Sequence, residues 1–183
     1  MKRILTLTLL GSVCLLVPHT AGATLLRGLS LENLCSRSGV IVRGEVVARA
    51  AAWKGGRIYT RVSLRVTHSL RGSHRAGQTV SFWHLGGRVG RHAQIVRGAP
   101  AFTRGERVVV FLSRRGGRLF VTGMAQGRFS IRGAATGRPA AVTQPLSGAR
   151  LLGPRRALRR PTTLSRFERR IRASLRTLKG RTP

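Results

Sequence analysis

From Ile58 to Val66 the chain alternates without a break. Ile58, Thr60, Val62, Leu64 and Val66 fall on one side, and Tyr59, Arg61, Ser63 and Arg65 on the other. A period of two marks a strand with one face buried and one wet, and it predicts a long strand over Ile58 to Leu70. Trp53-Lys54-Gly55-Gly56 is a turn that leads back to a preceding strand carrying Val40, Val42, Val46 and Val47. Thr79 to Leu85 is a third strand, stopped by Gly86-Gly87, whose turn calls for positive φ. The Gly-rich stretch Arg88 to Phe102 allows a short strand at Ala93 to Val96. The unbroken apolar run in Arg107 to Leu112 reads as a buried strand, turned by Arg114-Arg115-Gly116-Gly117 into Leu119 to Thr122. Phe129 and Ile131 belong to a last strand.

Two segments change period. Ser30 to Arg37 reads as a short helix, with Ser30 as N-cap, Glu32 in the first turn, Leu31, Leu34 and Cys35 on one face, and Gly39 ending it. Near the C-terminus Leu164, Phe167, Ile171, Leu175 and Leu178 recur at helical spacing, with basic residues on the opposite side. Between them, residues 134–161 carry Pro139, Pro145, Pro154 and Pro161 among many arginines, and this composition predicts an extended linker. The expectation is therefore a mainly β protein: a small OB-like barrel of five to six strands over residues 24–133, with a short N-terminal helix and a C-terminal amphipathic helix over 162–180.

Residues 1–23 have the three parts of an export signal: Lys2 and Arg3, the apolar run Ile4 to Val17, and Ala21-Gly22-Ala23 as a cleavage site. The apolar run is too short for the roughly 20 residues a membrane-crossing helix needs. It is also apolar all round, unlike an amphipathic transit peptide. The expected location is secreted or periplasmic, with Thr24 first and no transmembrane span after cleavage. Val13 precedes Cys14 where a lipid anchor needs a small residue. Loss of Cys14 leaves Cys35 alone, so no intramolecular disulfide forms in the mature chain. Cys35 is then either buried and inert or paired with another chain, and its apolar neighbours favour burial.

Charge sharpens this picture. The sequence holds 35 Lys and Arg against 4 acidic residues, a formal net charge of +31. Only three lysines and a single Asn33 accompany this arginine excess, a composition that looks like the product of a GC-rich genome, so selection and codon bias are both open as its source. Codon bias does not explain the missing acids, because GC-rich codons serve Asp as readily as Arg. A surface this positive attracts polyanions.

The same scarcity bears on chemistry. There is no aspartate, and the acids are Glu32, Glu45, Glu106 and Glu168. Paired-carboxylate hydrolysis and serine triads both need placed acids. Glu45 and Glu106, at strand positions, read as solvated or arginine-paired. His68, His74, His84 and His92 lack the paired spacings of a zinc site. His84 and His92 flank Gly86-Gly87-Arg88-Val89-Gly90, a loop without the Lys and helix start of a phosphate cradle. Neither a catalytic residue, a cofactor nor a metal is expected. The aromatics Phe82, Phe111, Phe120 and Phe129 lie mostly in strand interiors, which leaves the evidence for a base-stacking surface thin.

Ser38-Gly39-Val40-Ile41-Val42-Arg43-Gly44-Glu45-Val46, Ile58-Tyr59-Thr60, Val66 with Leu70-Arg71-Gly72, Gly86-Gly87, Gly98 with Pro100 and Phe102, and Gly105-Glu106 before Val110-Phe111-Leu112 together resemble a recurrent type of uncharacterised bacterial secreted domain. The run is also similar to the OB-type barrel of netrin-like domains and tissue inhibitors of metalloproteinases. The resemblance spans Leu31 to Ile131, just over half of the chain, and implies a non-enzymatic role in the envelope or outside the cell. Those inhibitors cap the target's zinc with a disulfide-locked N-terminal cysteine. Here Thr24 would be first and Cys35 has no partner, so that mechanism is not carried over.

The functional expectation is a non-catalytic secreted binding module acting through a cationic surface on a protein or a polyanion. The alternative is a protease inhibitor or protease-associated domain. The strongest positive feature is the tract from Arg150 to Pro183, with twelve basic residues and one acid. Its candidate polyanion-binding residues are Arg155, Arg156, Arg159, Arg160, Arg166, Arg169, Arg170, Arg172 and Arg176. Partners it would fit are an unidentified protein, an anionic envelope polymer or a lipid surface, with nucleic acid a weaker fit. The bland reading of the helix in this tract is that its apolar face packs on the barrel while its arginines face water.

Overall fold

The alternation at Ile58 to Val66 is realised as half of a long β-hairpin. The computed structural model describes residues 25–133, 139–153, 156–158 and 160–180, so the segment expected to be an export signal, with Cys14, lies outside the described residues. In chain order the strands are β1 (Leu25–Arg27), β2 (Val40–Lys54), β3 (Arg57–Arg71), β4 (Thr79–Leu85), β5 (Gly87–Val89), β6 (His92–Gln94), β7 (Arg107–Arg115) and β8 (Arg118–Val121). After a 3-10 turn at Met124–Gly127 come β9 (Arg128–Arg132), β10 (Ala141–Thr143), β11 (Arg150–Leu152) and β12 (Thr162–Thr163). The helices are α1 (Leu31–Arg37) and α2 (Leu164–Lys179). No helix among the described residues is long and apolar enough to cross a membrane.

Five strands close into a ring. β3 pairs antiparallel with β2 and with β4, β7 pairs antiparallel with β2 and with β8, and the parallel contact of Trp83 in β4 with Phe120 in β8 completes the circle. This is the OB-like barrel anticipated from strand spacing. Closure needs curvature, and the β2–β3 hairpin supplies it through register shifts at Ile41/Val42, Arg43/Gly44 and Val46/Ala48. At one of these shifts Gly44 is obligatory, because a Cβ there would overlap the Arg65 carbonyl of β3. Gly86 and Gly87 do have positive φ, 91° and 145°. They start the β5–β6 hairpin, which occupies part of the Gly-rich stretch that alternation alone left open.

The apolar run in β7 has two destinations. Val108, Val110 and Leu112 point into the barrel with Val42, Val62, Leu64, Val80, Phe82 and Phe102. Val109 and Phe111 point out, into a second core shared with Leu31, Leu34 and Cys35 of α1, Phe129 and Ile131 of β9, and Phe167 and Ile171 of α2. A strand covered on both faces has no polar alternation to show. Ser30 caps α1 by accepting from the Asn33 N–H at 3.2 Å, and Thr163 caps α2 by accepting from Arg166 N–H at 3.4 Å.

The segment expected as a linker is different in its described part. β10 adds to β9, and β12 adds to β10, while β11 pairs in parallel with β1. Val142, Ala157 and Leu158 are buried in the second core. Buried Gln144 donates to the Gln126 carbonyl at 2.7 Å and accepts from the Leu158 N–H at 3.3 Å, and Gln126 in turn accepts from Leu29 N–H at 2.7 Å. Prolines and arginines punctuate the segment, yet a few buried apolar side chains and two glutamines suffice to fasten the backbone down.

Cys35 is free and fully buried beneath α2. Burial pushes its thiol up from 9.0 to about 11, aided by Glu32 and opposed by Arg71 and a hydrogen bond with Ser174. Native protein at pH 8 should therefore resist iodoacetamide and react promptly once denatured, as mass spectrometry would record. Because the folded thiol holds its proton more tightly than the unfolded one, this contribution to stability is complete below pH 9 and is lost as pH rises through about 11.

Candidate functional site

The tract expected to hold the site divides once it is folded. Arg155 and Arg159 lie outside the described residues. Arg156 is occupied by Gln144, donating to its carbonyl at 3.0 Å and its Oε1 at 3.3 Å. Arg160 is exposed. In α2 the apolar residues Phe167 and Ile171 are buried, and Arg166, Arg169, Arg170, Arg172 and Arg176 face water. Arg170 reaches the Ala157 carbonyl at 3.5 Å, and Arg172 reaches His68 Nε2 at 2.8 Å. The helix thus spends its apolar face on the second core and offers solvent an arginine stripe, as the bland reading has it.

The acids are distributed unevenly. Glu168 is paired internally with Arg43 at 2.7 Å and more distantly with Arg172 at 3.8 Å. Glu106 is paired with Arg128 and accepts from Ser130 Oγ at 2.9 Å. Glu32 remains exposed on α1 and Glu45 half-buried on β2. Large tracts of surface consequently carry arginine with no carboxylate nearby.

One such tract also carries aromatics. With Ile58, Thr60, Val62, Phe82, Leu119 and Val121 directed into the barrel, the intervening residues must face outward: Arg57, Tyr59 and Arg61 on β3, Trp83 on β4, and Arg118 and Phe120 on β8. Register sets Arg61 beside Trp83, and Trp83 beside Phe120. Tyr59 meets Phe120 edge-on, with ring centres 6.5 Å apart. Lys54 Nζ lies 5.9 Å and the Arg118 guanidinium 5.7 Å from the centre of the Trp83 ring, within the range at which a ring face attracts a cation.

Beside these rings is a cavity of about 570 Å³, walled by Tyr59, Trp83, Leu85, Pro100, Phe120 and Met124 and rimmed by Arg115 and Arg118. That volume is within the usual range for small-molecule sites. Met124 takes positive φ, 59°, a strained conformation for a residue with a side chain, and follows Gly123 at 67°. His84 also lines the cavity. Burial lowers its pKa below the ordinary 6.5, outweighing the opposing hydrogen bond in which its ring meets the Leu85 carbonyl at 3.1 Å. The imidazole is neutral at pH 7, and none of the four glutamates is among the lining residues.

His84 and His92 do not share partners. His84 packs near Phe102 and His92 edge-on against Trp53, each with ring centres 5.9 Å apart. Among the described residues no group of three or more His, Cys, Asp or Glu is placed to hold a metal ion.

The aromatic assignment needs correction. Phe82, Phe111 and Phe129 are indeed interior, but Phe120 is half-buried and faces outward with Tyr59 and Trp83, so aromatics and cations do share one face. Tyr59 already stood on the wet side of the β3 alternation. Trp83 and Phe120 join it only through the β4–β8 pairing. No family model matches the chain, and neither a curated protein nor a solved structure does.

Proposed function

We propose that the mature chain is an exported, non-catalytic binding module that takes polyanions on its arginine surface. The observation that supports this reading is the outer face of β3, β4 and β8, where Arg57, Arg61 and Arg118, joined by Lys54 from the end of β2 and Arg115 from the end of β7, accompany three aromatics without a carboxylate among them. A cation surface of this kind exchanges bound counterions for the charges of its partner, so its binding is steeply salt-dependent. The α2 stripe adds a second cationic area. Its apolar residues are committed to the core, which favours contact through charge over insertion of the helix into lipid.

The test is retention of residues 24–183 on immobilised heparin across a salt series. Truncation after Gly133 is unsuitable, since it removes Val142, Leu158, Phe167 and Ile171 from the core. Charge-neutral substitutions avoid that. Lys54→Gln with Arg61→Gln and Arg118→Gln should lower the slope of log affinity against log salt by about one per residue removed. The set Arg166→Gln, Arg169→Gln and Arg176→Gln measures the share of α2 in the same way. Absence of binding by the parent chain at moderate salt would overturn the reading.

A further inference from the structure

We infer that the cavity between Tyr59, Trp83 and Phe120 binds a nucleotide unit, its base among the aromatic rings and its phosphate at Arg115 and Arg118. This rests on the polyanion reading and narrows it to one ligand chemistry. A plain polyanion needs only cations, which the α2 stripe supplies without any concavity. The β3–β4–β8 face differs because it combines a cavity of about 570 Å³ with three aromatic walls and a cationic rim. Stacking of bases on aromatic side chains, with backbone phosphates tracked by cations, is how single strands are held without sequence readout.

The geometry supplies each part. Trp83 is half-buried, so its ring is fixed by the barrel yet reachable, and Lys54 and Arg118 already sit against it. Arg115 and Arg118 are cross-strand partners at the β7–β8 turn, which places two guanidinium groups at one edge of the cavity. Guanidinium forks suit phosphate oxygens, and no lining carboxylate competes for them. Arg57 and Arg61, exposed along β3, continue the cationic track beyond the cavity and allow a strand of several units to lie across the face. The same chemistry serves a free nucleotide or one unit of a single strand.

The experiment compares three probes on residues 24–183 at fixed ionic strength: a thymidylate oligomer, inorganic polyphosphate of equal phosphate number, and thymidine monophosphate. The oligomer is expected to bind more tightly than polyphosphate. Trp83→Ala should weaken the oligomer about tenfold or more while leaving polyphosphate unchanged, and Trp83→Phe should keep most of the affinity. If Trp83→Ala does not fold, Tyr59→Leu, which keeps apolar bulk but removes the ring, is expected to show the same selective loss. Monophosphate binding with the same Trp83 dependence identifies a free nucleotide as the ligand, whereas oligomer binding alone identifies a strand. Equal affinity for oligomer and polyphosphate, or equal loss of both in Trp83→Ala, overturns the nucleotide assignment and leaves polyanion binding standing. No binding of any probe removes both.

Discussion

Phe167→Ala in α2 is expected to lower the unfolding free energy by about 3–5 kcal/mol, the range for deleting a fully buried aromatic side chain. The ring has no solvent exposure, and its centre lies 4.6 Å from that of Phe129, which in turn meets Phe111 at 5.5 Å. Truncation would open a void where α2, β9 and β7 converge, and the barrel wall on the other side of β7 is too tightly paired to collapse into it. Denaturant unfolding followed by circular dichroism reads the loss directly. If Phe167→Ala cost less than about 1 kcal/mol, α2 would be a detachable arm, and its arginines would be free to act away from the barrel. A large cost, with the arginine set of α2 replaced by glutamine at little cost to stability, assigns the two faces of the helix to separate tasks.

That division was legible in the sequence because a helix repeats its faces every three to four residues, and Leu164, Phe167, Ile171, Leu175 and Leu178 keep that spacing. The β3 alternation was legible for a similar reason, since each residue reports only its own side of one strand. The linker region failed the same test. β10 and β11 are three residues each, too short for a period to emerge, and their hold comes from distant partners such as Gln126 and Leu26. The cavity was hidden more deeply. Tyr59, Trp83, Arg115 and Phe120 come from four strands, and they meet only because β8 pairs with both β7 and β4. Local pattern recorded that Tyr59 is wet, but a pairing between segments distant in sequence decides what stands next to it.

The acids tell the opposite story, in which scarcity raises the value of each one. Glu106→Ala is expected to destabilise the protein by about 3 kcal/mol, near the lower end of the cost of orphaning a buried charge. The discount reflects a Glu106 side chain that is still 20% exposed. Its carboxylate has three partners on two segments: on β9 it pairs with Arg128 and accepts from Ser130 Oγ at 2.9 Å, and in the loop before β7 it accepts from the Thr103 N–H at 3.3 Å. Arg128 is only 8% exposed, its guanidinium lies 5.4 Å from the centre of the Phe102 ring, and its Nε has no hydrogen-bond partner. Deleting Glu106 leaves that cation in an apolar setting with one ring face for company. The cost would therefore come chiefly from Arg128, and this is checked by a second substitution. Arg128→Met in the Glu106→Ala background should recover much of the loss, because an apolar side chain of similar length needs no counterion. If the double variant were as unstable as the sum of the two single ones, the two side chains would be acting independently. Glu106 would then matter for its hydrogen bonds to Thr103 and Ser130, which shape the approach to β7, and not for the charge it neutralises.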